Sequence, residues 1–233
     1  MLIEDLRMNA GVLTEADKLG AGKKGIVVFD IDFTILKPEG IAVLKLDKDG
    51  KLVKRLPPEE YDQKETQQIR NEWKSQGGSY SYAEYRDAEK VKNSIIHATP
   101  FVKVLRLMDS YIRNGFEVAF LTARGMEEEV NEALKKFLMY RDDNGKLVPI
   151  GDKLKRELVN AVNDDLKRAK GIYVGNDAEA KKAKLKEYVD NYDIVKFIDD
   201  SPMNLKQSEE LIPYAQSKGK KFQLINAVKV NKE

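Results

Sequence analysis

The chain of 233 residues contains no cysteine, which excludes disulfides, thiol nucleophiles and thiolate metal sites together. It holds a single histidine, His97, so mechanisms built on a histidine cluster, common zinc hydrolase patterns among them, are excluded as well. No stretch approaches the roughly 20 apolar residues of a membrane-spanning helix. Met1 to Lys24 also lacks the apolar segment of a secretory signal, so a cytoplasmic protein without a membrane partner is expected. Neither sign of charge dominates: 41 Lys and Arg face 39 Asp and Glu, a net charge of +2. No global field therefore pulls the chain toward nucleic acid or an anionic membrane. Chemistry must rest on carboxylates, lysines, hydroxyls and a metal held through oxygen.

What is present is enough for one α/β domain with an accessory element, or at most two small domains. Residues 1–24, polar with scattered Leu, read as an arm and linker. Residues 25–34 and 99–233 read as the core, and residues 35–98 as an insertion. In the core, apolar runs at Ile26–Val28, Phe116–Leu121, Ile172–Val174, Val195–Ile198 and Phe222–Ile225 alternate with helical patterns. Those helices are expected after Pro100 to about Ile112, over Met126–Tyr140, Lys153–Lys170, Ala178–Tyr192 and Leu205–Ala215. Short apolar strands alternating with helices predict a Rossmann-like doubly wound parallel sheet. In the insertion, alternating residues from Ile41 to Leu56 flank Lys48-Asp49-Gly50-Lys51, a hairpin signal. Pro57-Pro58 ends the hairpin, and the polar stretch Glu59–Ser79 is expected to be irregular, with a break at Gly77-Gly78.

The strand ends carry the chemistry. Phe29-Asp30-Ile31-Asp32-Phe33-Thr34 follows the first apolar run and places two carboxylates near the carboxyl end of a central strand, where ligands of open α/β sheets collect. Asp also punctuates loops, so this hexapeptide does not decide the matter alone. A second strand closes with Leu121-Thr122-Ala123-Arg124-Gly125, a hydroxyl before a turn into a helix whose first N–H groups can hold an anion. A fourth closes with Asp199-Asp200-Ser201-Pro202; one Asp there suits a helix N-cap, but capping does not require its neighbour. All three ends are expected on one edge of the sheet.

In this order the motifs resemble the haloacid dehalogenase (HAD) superfamily, over roughly residues 25–226. Its Asp-x-Asp-x-Thr matches Asp30, Asp32 and Thr34, its strand-closing Thr matches Thr122, and its closing acidic pair matches Asp199 and Asp200. Its lysine falls among Lys181, Lys182, Lys184 and Lys186; Leu185, four residues on, favours Lys181. Phe33 departs from the small or acidic residue many members carry. The resemblance implies a phosphatase that works through an aspartyl-phosphate, with Asp30 as nucleophile and Asp32 as acid and base. It further implies Mg²⁺ held by Asp30, the backbone carbonyl of Asp32 and Asp199, with Asp200 behind them or as an alternative ligand, and a phosphoryl group held by Lys181, the Thr122 hydroxyl and the backbone N–H groups of Ala123 and Arg124. Hard oxygen ligands favour Mg²⁺ over zinc.

Substrate choice is then expected in the insertion. Tyr82 and Arg86 are candidates to stack on a base and pair with a phosphate, although such residues also serve packing. Trp73 reads as an anchor of the insertion and His97 as structural. The hairpin together with Tyr82-x-x-Tyr85-Arg86-Asp87-Ala88 further resembles HAD-type proteins of large tailed bacteriophages. That points to a small phosphorylated substrate, a nucleotide or a nucleic-acid 3′ or 5′ end, and to the host cytoplasm. The alternative is a HAD-fold interaction or virion-associated protein with a vestigial site, suggested by the arm and by Phe33.

Overall fold

Five short parallel strands carry the centre of the molecule in one sheet, and an all-parallel sheet needs cover on both faces. The computed structural model describes residues 18–124, 126–137, 139–141, 147–149, 172–174 and 178–232. The helix expected over Lys153–Lys170 and the arm up to residue 17 lie outside the described residues.

The chain enters the sheet at β1 (Gly25–Phe29), and the insertion opens with β2 (Leu36–Lys37). There follow β3 (Val43–Leu46), β4 (Leu52–Leu56), α1 (Pro58–Lys64), α2 (Gln67–Ser75), β5 (Ser79–Ser81), a 3₁₀ turn (Ala83–Arg86) and α3 (Ala88–Ile96). β6 (Thr99–Pro100) closes the insertion by pairing antiparallel with β2, so its entry and exit are fastened together. The core resumes with α4 (Val102–Arg113), β7 (Glu117–Thr122), α5 (Glu127–Phe137), the antiparallel pair β8 (Met139–Arg141) and β9 (Leu147–Pro149), and β10 (Ile172–Val174). It ends with α6 (Ala178–Asn191), β11 (Ile194–Asp199), α7 (Pro202–Ser208), α8 (Leu211–Ser217), β12 (Lys221–Asn226) and α9 (Ala227–Lys232).

The strand order is β10-β7-β1-β11-β12, parallel throughout. Alternation along β1 sends Val27 and Phe29 into one apolar cluster, with Val104, Met108, Val130 and Leu134 of α4 and α5. Ile26 and Val28 face the other way, against Leu185 and Val189 of α6 and Ala215 of α8. Helices thus cover both faces, each buried side chain contributing about 1.5–3 kcal/mol of apolar burial. The chain leaves β1 toward β7 and later returns to β11 on the other side. The gap between the carboxyl ends of β1 and β11 is therefore where the winding reverses, and such a gap opens a crevice.

The expected hairpin is present and extended: β3 pairs with β4 across the turn at 47–51 and with β5 on its other side. Asp47 Oδ1 accepts from the backbone N–H of Asp49 and of Lys51, which closes that turn. Four expectations need correction. Glu59–Ser79 is helical for most of its length, because Pro58 opens α1 without costing a hydrogen bond and Thr66 caps α2 by accepting from Ile69 N–H. Gly77-Gly78 is a tight helix end, with Gly77 at φ +87° and Gly78 directly under the Trp73 ring. Leu205–Ala215 is two helices: Pro213 lacks the N–H that a continuous helix would need, and it is tolerated in the first turn of α8. The helix from Met126 also stops at Phe137, where the chain turns extended to pair β8 with β9.

Trp73 anchors the insertion as expected, donating its indole N–H to the Leu46 carbonyl at 3.0 Å beneath the Lys45 ammonium. His97 ends α3 as its C-cap residue. Val43, Leu56 and Tyr61 form a small buried cluster with Tyr80 and Tyr85 against it, and Tyr85 also packs on the main core. Glu84 ties these parts together, accepting from Ala42 N–H, from both Nε and Nη2 of Arg55, and from Lys90 Nζ. Burial works against its charge, yet the hydrogen bonds from Arg55 and Lys90 hold it below the usual glutamate range.

Candidate functional site

Past the end of β1 the backbone makes a tight loop. Asp30 N–H still bonds to the Ile198 carbonyl of β11 at 2.9 Å, while the N–H groups of Ile35 and Leu36 both reach back to the Ile31 carbonyl. Phe33 takes φ +58° so that its N–H can meet the Leu36 carbonyl at 2.7 Å. A side chain there costs about 1–2 kcal/mol of left-handed strain. This loop projects Asp30 and Asp32 into the crevice and turns Thr34 inward. The Thr34 hydroxyl accepts from Asp200 N–H at 3.0 Å and lies 3.4 Å from Asp200 Oδ1, fastening the first loop to the end of β11.

Asp30, Asp199 and Asp200 each present a carboxylate oxygen within 4.8 Å of the others. Lys181 reaches into this group from the first turn of α6. Its buried ammonium lies 2.5 Å from Asp30 Oδ1 and 3.0 Å from Asp199 Oδ2. Asp199 is fully buried and also accepts from Ser201 N–H and from the side-chain amide of Asn204 on both its oxygens. Three carboxylates therefore face one ammonium. Burial, reinforced by the charges of Asp199, Asp200 and Asp32, holds Asp30 well above the ordinary aspartate range despite Lys181. Burial and the adjacent Asp199 likewise push Asp200 up to about 7. Burial opposes the charge of Lys181, but Asp30 and Asp199 hold it protonated above the usual lysine range.

Of the four lysines on α6, the fold selects Lys181, which shares the buried face of the helix with Leu185, Tyr188 and Val189. Lys182 instead pairs with Glu179 and Glu210, Lys184 with Glu187, and Lys186 with Asp190 and Tyr214, all on the solvent side.

Asp32 and Arg124 part company with their expected neighbours. The Asp32 carboxylate stands outside the acidic cluster and accepts from Arg124 Nε and Nη2, both at 2.6 Å. Arg124 is only 3% exposed. A buried guanidinium must find a counter-charge, and Asp32 supplies it. Its remaining Nη1 donates to Ser94 Oγ at 2.6 Å. Thr122 is buried at the end of β7, its hydroxyl accepting from Arg124 N–H at 3.1 Å, and Ala123 follows it, exposed. Tyr82 is the N-cap residue of the 3₁₀ turn of the insertion and Arg86 its last residue. Tyr82, 45% exposed, packs edge-on against Tyr61 and Tyr85 with its hydroxyl on that of Tyr61, and Arg86 is exposed.

Ser94, Asn204 and the fastening role of Thr34 were not singled out from the sequence. Asn204 had a local signal, three residues past the N-cap Ser201 and one turn from Asp199. Ser94 had none.

No protein-family model matches the chain, and no curated protein matches it significantly.

Proposed function

We propose that this protein is a Mg²⁺-dependent phosphohydrolase of the HAD type, acting through an aspartyl-phosphate on a phosphomonoester. The observation that carries the reading is the meeting of Asp30, Asp199 and Asp200 around the buried Lys181 at the crevice where the sheet reverses. The donor set fits a hard divalent cation: every ligand atom is an oxygen, and three carboxyl groups meet one ammonium. Asp30, Asp199 and Asp200, with the backbone carbonyl of Asp32, would hold the ion. When bound, Mg²⁺ offsets the charge that otherwise opposes attack by a carboxylate on a phosphate.

The chain's own residues supply the rest. A carboxylate oxygen of Asp30 attacks phosphorus, the bond from phosphorus to the ester oxygen breaks, and Asp32 gives that oxygen a proton. Water then attacks the aspartyl-phosphate, Asp32 takes its proton, and Asp30 is regenerated as inorganic phosphate departs. Lys181 lies against Asp30 and would neutralise phosphoryl oxygens, with the Thr122 hydroxyl and Ala123 N–H as further donors. The half-exposed Tyr82 ring beside Arg86 supports a nucleotide or a nucleic-acid end as the substrate.

The test is release of phosphate from p-nitrophenyl phosphate and from 3′- and 5′-phosphorylated nucleotides. Turnover should require Mg²⁺ and disappear with EDTA or with Asp30→Asn. Wild-type protein that turns over no phosphoester and binds no Mg²⁺ refutes the enzyme reading and leaves an interaction protein with a vestigial site.

A further inference from the structure

Between the insertion and the core runs one buried polar chain, Ser94 to Arg124 to Asp32. Ser94 is itself fixed: its hydroxyl donates to the Val91 carbonyl at 2.8 Å, and its own carbonyl accepts from Glu39 N–H at 3.2 Å. The same hydroxyl accepts from Arg124 Nη1. α3, which carries Ser94, packs along α5, so the chain crosses a contact between the insertion and the core. The two parallel bonds from Arg124 fix the plane of the Asp32 carboxylate, which otherwise stands 25% exposed at the mouth of the loop. They occupy two of about four lone-pair positions on that carboxylate and leave the rest for a proton.

We propose that Arg124 is a positioning residue for Asp32, that Ser94 holds Arg124 in place, and that the insertion thereby sets the proton transfers of the phosphohydrolase reaction on which this inference rests. Arg124 in this role never touches the phosphoryl group. Its Nε and Nη2 each donate to Asp32 and its Nη1 to Ser94, and the side chain is buried. Ser94 in this role makes the insertion a mechanical part of the site as well as a surface for the substrate.

Leaving-group dependence tests this. An alkyl phosphate needs a proton on its leaving oxygen, whereas p-nitrophenolate leaves without one, and kcat/KM reports the steps through that first bond cleavage. Wild type, Ser94→Ala, Arg124→Lys and the double variant are compared on p-nitrophenyl phosphate and glycerol 2-phosphate with Mg²⁺. Arg124→Lys should lose at least about tenfold more kcat/KM on the alkyl ester than on the aryl ester, within the range positioned acid–base groups supply. Ser94→Ala should show a smaller split in the same direction and add nothing in the Arg124→Lys background. Should Arg124→Lys fail to fold, the split in Ser94→Ala, which retains Arg124, decides. Equal losses on both esters, or a rise in KM alone, overturn the proposal by making Arg124 a scaffold or a phosphate ligand. Wild type inert toward both esters, with no Mg²⁺ bound, overturns the phosphohydrolase reading and this inference with it. Wild-type turnover without the split overturns this inference alone.

Discussion

Replacing Lys181 by Met removes one charge at nearly constant length from the most crowded electrostatic site in the protein. The ammonium lies 2.5 Å from Asp30 and 3.0 Å from Asp199. Unit charges at 4 Å and an effective dielectric near 20 attract by about 4 kcal/mol, so two such contacts outweigh the several kcal/mol needed to desolvate one ammonium. Breaking a buried pair from one side typically costs about 3–5 kcal/mol, and here the loss leaves three carboxylates facing one another. Protons relieve part of it. Asp200 is already raised from 3.8 to about 7, and Asp30 also lies well above its ordinary value. A carboxyl with a raised folded-state pKa contributes stability that is fully present below its unfolded value and is lost as pH rises through the folded one. The Met variant, whose carboxyls are raised further, should therefore be close to wild type near pH 5 and lose the full amount only above about pH 8. For a chain of this size about 3–5 kcal/mol corresponds to a drop in Tm of about 6–20 °C. Urea and thermal unfolding in EDTA at both pH values measure it, and Lys182→Ala, on the solvent side, should stay within about 0.5 kcal/mol of wild type. A Lys181→Met loss under about 1 kcal/mol at the higher pH, or one that does not vary with pH, refutes the claim that Lys181 compensates the carboxylates.

Magnesium should flatten the same slope: metal-free wild type is expected to lose stability as pH rises from about 4 through 7, while Mg²⁺ at about 100 times its Kd should add about 2.7 kcal/mol at the higher pH and little at the lower. A slope unchanged by Mg²⁺ in calorimetric melts counts against the metal site. At position 33, where φ is +58°, Phe33→Asn should be more stable than Phe33→Val by about 1 kcal/mol, because Asn tolerates the left-handed region and a β-branched residue does not. The reverse order in thermal melts rules out the strained loop. Gly78→Ala would place a methyl group 2.3 Å from the Trp73 ring. Since Trp73 is the single tryptophan of the chain, its fluorescence should report an insertion weakened by about 1–3 kcal/mol, with little change in core unfolding followed by circular dichroism.

The parallel α/β sheet and the acidic strand ends could be read from the linear chain because both are local: apolar runs of strand length end in Asp30, Thr122 and Asp199. The register of the winding then had to bring Asp30 and Asp199 together, since β1 and β11 are neighbours. Lys181 was legible for a similar reason, one helical turn before the apolar Leu185 on the same face. The helices of the insertion were hidden by polar composition, and their signals lay in the caps at Pro58 and Thr66. The split of Leu205–Ala215 was written in Pro213.

The sequence by itself determined which groups could react here: no thiol, no histidine cluster, and carboxylates and a lysine at the ends of buried strands. Only the tertiary structure decided how they share their charges. Asp32 and Arg124 are separated by 92 residues and Arg124 and Ser94 by 30, and no local pattern records such pairings. They arise because a guanidinium buried by packing must find an anion and acceptors wherever the fold provides them. That requirement made the Arg124 side chain the partner of Asp32, and joined the insertion to the loop after β1.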